Sequence, residues 1–404
     1  MKTLNTLLLF IPLIAGFAQT NNQTTPAYFT VYNVTGDSTV PQQFVVEITS
    51  PAVIQQARAL LTIPESERPH VRGVVVKAPS YFNSPWTFHI DPASVGFSDI
   101  SVEVCDAATS EVEGHLAEVG NAFLPDSVWC PWSSRILAEI PAPDNAATSL
   151  RIASAASDSE AAISPGALVS IYGQNLTAQI LQAGTADTVV NLSGVAVQVK
   201  AATETESRPL SLLMASPTQV NALIPSDMPP GPMSISLTNA SGQQFQSLSY
   251  VEAIAPALFT ISANNRDYAA ATVQRVHADG TSSIESLVAV DPATGALVPV
   301  PLDFGLPGDE VYLSLYGTGF VNSTAAAISL ALAGETTSIL YAGPQSEVAG
   351  LDQVNVSISQ SLSSQPFFDL QPSVKNPAGY PVKTNPVRIL VHSSTQKVGT
   401  MASR

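Results

Sequence analysis

Three histidines, His70, His89 and His115, fall within one stretch of this chain. The second sits in the run Trp86-Thr87-Phe88-His89-Ile90-Asp91-Pro92. In an extended segment, side chains two residues apart share a face, so an imidazole (His89) and a carboxylate (Asp91) lie together. Such a pair can act as a general base with its orienting carboxylate, or contribute ligands to a metal. It can equally be a structural histidine hydrogen-bonded near a strand that Pro92 stops. Glu111-Val112-Glu113-Gly114-His115 has neither the order nor the helical register of a zinc hydrolase and reads as a solvated helix face. Asp303, Asp309 and Glu310 stand near turns without an EF-hand or nonapeptide calcium pattern, and read as turn carboxylates. The chain carries no G-x-S-x-G elbow, phosphate loop or dinucleotide fingerprint. No catalytic residue, metal site or cofactor is therefore assigned; His89 and Asp91 are kept as a polar site.

All three tryptophans, Trp86, Trp129 and Trp132, lie close to Tyr81 and Phe82 in the same stretch, among Pro79, Pro85 and Pro131. This cluster is either an exposed stacking platform for a sugar or peptide, or a core. The only cysteines, Cys105 and Cys130, accompany it. In an exported chain two cysteines in one domain predict a disulfide, with free or metal-bound thiols as the alternative.

The elements that must position these residues follow from local pattern. Tyr28–Tyr32, Phe44–Ile48, Val71–Lys77, Trp86–Ile90, Ser101–Cys105 and Arg135–Ile140 read as strands. Ser50-Pro51 opens a helix with Ser50 as N-cap, and Val53, Ile54, Ala57, Leu60 and Leu61 recur at helical spacing. Ser110-Glu111-Val112-Glu113 has the form of a capping box. Residues 28–140 are expected to be an α+β domain and 141–163 a linker, within which Ser149–Ala153 is a candidate first strand or lead-in of the next domain.

The remainder is written twice. Pro165-Gly166-Ala167-Leu168-Val169-Ser170-Ile171-Tyr172-Gly173 has a second version in Pro307-Gly308-Asp309-Glu310-Val311-Tyr312-Leu313-Ser314-Leu315-Tyr316-Gly317. Gln219-Val220-Asn221 returns as Gln353-Val354-Asn355. A repeated turn and strand with a repeated downstream strand implies two copies of one β-domain. Short strands punctuated by turn residues predict all-β immunoglobulin-like sandwiches at 164–252 and 253–395, the second with inserted hairpins at 271–284 and 288–300.

Composition limits the function classes. Acidic residues number 32 and basic residues 16, a net charge of −16, so nucleic acid is disfavoured as a partner. Lys2, the apolar run to Phe17, and Gly16 and Ala18 form a secretory signal peptide, 1–18. No later apolar run is long enough to span a membrane. A secreted or extracytoplasmic location, at the cell surface or in the periplasm, is expected.

Two family resemblances add to this. Residues 163–392 resemble a C-terminal secreted module of acidobacterial proteins related to the TIG/IPT immunoglobulin-like domains. The resemblance rests on Pro165–Leu176, Ser216–Asn221, Pro230-Gly231-Pro232, Ala255–Phe259, Ala278–Thr281 and Pro307-Gly308-Asp309. It implies a non-catalytic surface or secreted module; Glu204–Arg208 is longer and more polar than that pattern. Residues 43–140 resemble a domain of unknown function shared between bacteria and a slime-mould protein, through Phe44–Glu47, Ala57–Leu61, Trp86–Pro92, Val104–Asp106 and Trp129–Arg135. The combined expectation is a secreted, non-enzymatic binding protein with an extracellular protein or glycan as partner. The alternatives are an exported hydrolase acting near His89 and Asp91, or a structural envelope spacer.

Overall fold

The computed structural model describes residues 25–33, 42–83, 86–100, 102–142, 149–183, 189–264, 266–320, 323–332, 335–345 and 348–392. The expected signal peptide and the turn at Gly36-Asp37 lie outside them. Strand takes 45% of the chain and helix 11%, so the protein is predominantly β. The described residues form two compact units: 25–255 with 376–382, and 256–375 with 383–392.

The first unit begins with two small antiparallel sheets. In one, Ala27–Asn33 lies between Gln42–Ile48 and Arg135–Ile140. In the other, His70–Val76 pairs with His89–Ile90, Gly96–Ser98 and Val128–Trp129. Phe29, Phe44, Val46, Phe88, Ile90, Trp129 and Ile136 fill the core between them, and none is measurably exposed. Burying each such side chain contributes ~1.5–3 kcal/mol.

Helix is scarcer than the α+β expectation for residues 28–140. A ten-residue helix, Pro51–Leu60, buries Ile54 and Ala57 against the core. Its fixed proline φ starts the turn at the expected place, but the Ser50 side chain makes no capping bond. A six-residue helix, Thr109–Gly114, starts one residue before the expected cap: Glu111 reaches back to the Ala108 N–H at 2.7 Å, and Glu113 instead takes the N–H and hydroxyl of Thr87. The strand expected at 101–105 is a 3₁₀ turn, Glu103–Cys105. The Cys105–Cys130 disulfide forms as expected, with Cα atoms 5.2 Å apart, and the Cys130 N–H donates to the Cys105 carbonyl. That double tether curls the segment away from a sheet ladder.

Each unit then carries a β-sandwich. In the first, Leu181–Gln182, Ser211–Ala215, Gln219–Leu223, Leu168–Tyr172 and Arg151–Ser154 form one sheet in that order. The facing sheet runs Arg208–Pro209, Ala196–Ala201, Gly231–Thr238, Gln244–Val251. Val169, Ile171, Val197, Val199, Val220 and Ile235 pack between them. Within the 141–163 segment, the candidate strand at Ser149–Ala153 forms as Arg151–Ser154, and its Ile152 faces this core.

The second unit repeats the arrangement. Ser282–Ser286, Ala271–Val276, Glu310–Thr318, Asp352–Ile358 and Ile339–Pro344 form its main sheet. Tyr172 pairs with Gln219 and Ser170 with Asn221; Tyr316 pairs with Gln353 and Ser314 with Asn355. Even an irregularity recurs. A bulge opposite Asn221 and Ala222 lies between Leu212 and Met214, and one opposite Asn355 and Val356 lies between Ile339 and Tyr341. The hairpins 271–286 and 288–299 form. The first is no insertion, however: Ala271–Val276 takes the place beside Glu310–Thr318 that Arg151–Ser154 takes beside Leu168–Tyr172.

Candidate functional site

His89 and Asp91 are brought together, but inside the first unit rather than at its surface. The alternation Trp86, Phe88, Ile90 inward and Thr87, His89, Asp91 outward is kept, yet His89 is 5% and Asp91 1% exposed. The outward face is covered by the loop that follows Arg151–Ser154. His89 Nδ1 donates to the Ala78 carbonyl at 2.7 Å, and Nε2 donates to Glu160 Oε2 at 3.0 Å. Glu160 accepts on its other oxygen from Arg151 Nε at 2.8 Å. Arg151 also binds the Asp158 carboxylate at 2.9 Å and lies over the Tyr172 ring. Asp91 Oδ2 accepts from the Ser159 hydroxyl at 2.5 Å, and Oδ1 from the Ala93 N–H at 3.1 Å.

A fourth carboxyl, Glu47, extends the cluster. Glu47 accepts from the Tyr28 hydroxyl at 3.2 Å, and Tyr28 meets Tyr81 hydroxyl to hydroxyl at 2.5 Å. Burial, then the nearby Glu160 charge, pushes Glu47 up to about 7. The same two causes, in the same order, raise Asp91 to about 6. Burial opposes a charge on His89, but the hydrogen bond and charge of Glu160 outweigh it and raise its pKa. Burial likewise works against an ionised Glu160, and the bond from His89 with the Arg151 charge holds its pKa below the ordinary value. The result is an ion-paired chain, His89–Glu160–Arg151–Asp158, crossing from the N-terminal region to the first sandwich. Beside it, Lys77 reaches Glu252 at 3.0 Å and lies over the Tyr250 ring.

The five aromatic residues do not make one platform. Tyr81 and Phe82 pack edge-on to each other, and Phe82 sits edge-on to Tyr28 and His89, beside the polar cluster. Trp129 is fully buried, with its ring N–H on the Ala107 carbonyl at 2.9 Å. Trp86 is half-buried against Phe44 and Phe88. Trp132 alone of the five is exposed, at 54%, edge-on to His70. The other histidines stand apart: His70 touches Arg135, and His115 hangs from the Glu111 carbonyl at a helix end. Among the described residues no three His, Cys, Asp or Glu side chains are grouped to hold a metal. Asp303 and Asp309 serve turns, accepting from the Gly305 and Leu306 N–H groups at 2.9 and 3.0 Å.

Sequence reasoning missed Glu160, Arg151, Glu47 and Ser159. The available signal was the isolation of Arg151, Asp158 and Glu160 in a stretch mostly of Ala and Ser, in a chain with few charges. Lone charges in such a stretch are candidates for burial in pairs.

No curated protein matches the chain. A solved structure of the Bacteroides ovatus mixed-linkage glucan utilization locus protein SGBP-B, in complex with a mixed-linkage heptasaccharide, is 16% identical. The match covers 57% of this chain and 43% of that one, with a TM-score of 0.25. An auxiliary nutrient binding protein from Bacteroides ovatus ATCC 8483 is 12% identical, covering 56% of each chain, with a TM-score of 0.14. The chain thus spans about half the length of these proteins, and likenesses this small transfer neither fold nor activity. The region resembling the bacterial and slime-mould domain is covered by a family match that does not extend into the sandwiches: residues 25–143 match the model of the BP-74 N-terminal domain.

Proposed function

We propose that this chain is an exported, non-enzymatic binding protein whose N-terminal domain, 28–140, meets an extracellular protein or glycan. One observation carries this reading. Both ring nitrogens of His89 and both carboxylate oxygens of Asp91 are already engaged, at sites 5% and 1% exposed. A general base has to reach substrate; this pair joins two parts of the fold instead.

The contact surface we assign lies around the disulfide. Ile100, Val102, Val104 and Trp132 are 75%, 50%, 64% and 54% exposed. Trp132 is held beside Asp106, whose carboxylate accepts the Trp132 N–H at 2.9 Å, so this rim stands next to the Cys105–Cys130 bridge. Exposed apolar side chains grouped on a tethered loop suit a partner surface. The signal peptide and the two sandwiches, read as modules of the TIG/IPT kind, fit display at a cell surface or in the periplasm. The net charge of −16 argues against nucleic acid. No helix among the described residues is long and apolar enough to cross a membrane.

The test uses the full chain. We expect no turnover on a broad hydrolase panel, and retention of a glycan or extracellular protein that Trp132→Ala weakens by at least about tenfold, a typical cost for an exposed aromatic anchor. Wild-type turnover that His89→Ala abolishes would restore the hydrolase reading.

A further inference from the structure

The two sandwiches share a register but not the fate of one face. On the main sheet of the first, Ser170, Gln219 and Asn221 point away from the core and are 1%, 6% and 5% exposed. At the end of that face Arg151 lies over Tyr172 and enters the ion-paired chain to His89. In the second sandwich the matching Ser314, Gln353 and Asn355 are half-buried. The place of Arg151 beside the tyrosine falls to Ala270, whose carbonyl accepts the Tyr316 N–H at 3.2 Å. The cation that engages an acidic neighbour in the first copy is absent from the second.

The rows across this second face are uncharged. One reads Ser286, Thr272, Ser314, Asn355, Tyr341; the next reads Ile284, Gln274, Tyr312, Ser357. Tyr316 and Gln353 form a third. Glu310 at the margin accepts from the Tyr312 hydroxyl at 2.5 Å. Gln274 is exposed, as are Ile284 at 51% and Tyr341 at 40%. The side chains hold one another: Gln353 donates to Asn355 at 2.6 Å and to Ser314 at 3.3 Å, and the Tyr316 and Thr272 hydroxyls are 3.2 Å apart. Tyr341 donates to the Pro344 carbonyl at 2.6 Å and lies across Gly343, where a Cβ would crowd its hydroxyl.

We propose that the outer face of the second sandwich's main sheet, built around Tyr312, Ser314, Tyr316, Gln353, Asn355 and Tyr341, binds an extended, uncharged polysaccharide. This rests on the binding reading above but assigns a second contact surface to the unit that does not contain Trp132. The ligand class follows from the chemistry. A face of hydroxyls and amides without formal charge, in a chain of net charge −16, offers an anionic polymer no counter-charge. Sugar hydroxyls match its donors and acceptors, and tyrosine rings supply flat apolar area at low entropic cost. Tyr312 and Tyr316 are four residues apart on one strand, about 13 Å, and the rows run across neighbouring strands about 4.8 Å apart. A chain of sugars spans that area where a monosaccharide does not. The internal hydrogen bonds fix the side chains beforehand, which lowers the cost of ordering them on binding.

The test is affinity electrophoresis of the full chain in gels containing hydroxyethyl cellulose, galactomannan or soluble starch, with polygalacturonate as the anionic control. We expect retardation by at least one neutral polymer and none by polygalacturonate. Tyr312→Ala with Tyr316→Ala should weaken retardation at least about tenfold. The Tyr→Phe pair keeps the rings and should retain most of it, with both variants matching the wild-type thermal transitions. Trp132→Ala should leave it unchanged. Retardation by no neutral polymer, or equal retardation by polygalacturonate, overturns the inference. So does retardation that survives the alanine pair but falls with Trp132→Ala, although the binding reading then stands. Capture of a protein partner through the tyrosines, with no polymer bound, likewise overturns it.

Discussion

His89 Nε2 stands 3.0 Å from Glu160 Oε2, and the two belong to different sheets' worth of chain: one opens a short strand of the N-terminal region, the other follows the first strand of a sandwich. Both are buried. Removing one partner strands the other. Glu160→Ala removes the one carboxylate that His89 and Arg151 share, leaving the His89 Nε2 without its acceptor and Arg151 with Asp158 alone, whereas His89→Ala leaves Glu160 its Arg151 bond. The expected loss is ~3–5 kcal/mol for Glu160→Ala and less for His89→Ala. Denaturant melts of both variants check it; equal or negligible losses would show that the pair does not hold the two parts together.

Acidity should tune the same joint. Glu47 at about 7 and Asp91 at about 6 lie above their ordinary values of 4.5 and 3.8, and His89 is also raised. Groups raised in the fold keep protons that the unfolded chain releases. Their stabilisation is complete below the unfolded values and is lost as pH climbs through the folded ones. Glu160, lowered in the fold, acts oppositely: its contribution is present above its ordinary 4.5 and is lost as pH falls through its lowered folded value. The first unit should therefore melt highest near about pH 4.5–5 and lower by pH 8, by roughly several degrees. Glu47→Gln should flatten the decline between about pH 5 and 7. A melting profile unchanged by that substitution would remove Glu47 from the account.

The covalent tether offers a separate handle. Cys105 and Cys130 close a loop across a sequence separation of 25, and both sulfurs sit at the edge of the core that holds Trp129. By loop closure alone, reduction should cost ~3–4 kcal/mol. Since the bridge also positions the 102–106 turn against Trp132, the Cys105→Ser, Cys130→Ser pair should broaden the Trp132 fluorescence response while leaving the second unit's transition in place. A reduced protein as stable as the oxidised one would mean that backbone bonds such as Cys130 N–H to Cys105 carbonyl already fix the loop.

How far these features were legible in the sequence depends on whether their causes are local. The repeat was readable because Ser170, Tyr172, Gln219 and Asn221 keep both type and spacing in Ser314, Tyr316, Gln353 and Asn355, and a strand's period of two then fixes their faces. The disulfide was readable from cysteine number. A hydrogen-bonded structural His89 was one of the readings open, but its burial was not legible. Alternation placed it on the outer face, but only the packing of residues 158–160 from another domain makes that face an interior. The tryptophans were legible only as a choice between platform and core: adjacency in sequence put Trp129 and Trp132 together, while the turn between them sends one into the core and one to the surface. Ala271–Val276 was read as part of an inserted hairpin because a strand that completes a sheet at long range carries no local sign of which sheet it joins.

The repeat also predicts an asymmetry between its two glycines. Gly173 and Gly317 follow Tyr172 and Tyr316, and in each copy the side chain three residues on, Leu176 or Phe320, closes over the glycine. A Cβ at Gly173 would come 2.9 Å from Leu176 Cδ2 and 3.0 Å from Leu150 Cδ2, the far ends of flexible side chains. At Gly317 it would strike the Ala257 carbonyl oxygen, and Ala257–Leu258 is itself paired to that strand. Side chains can rotate away at a cost of ~1–3 kcal/mol; a backbone carbonyl in a ladder cannot move without breaking its pairing. Gly173→Ala should therefore cost ~1–2 kcal/mol, within that overpacking range, and Gly317→Ala more than ~3. Separate melts of the two variants compare them. Should Gly317→Ala prove the milder, the Ala257–Leu258 strand must be free to shift, and the two copies would differ in rigidity at the corner where they match in sequence.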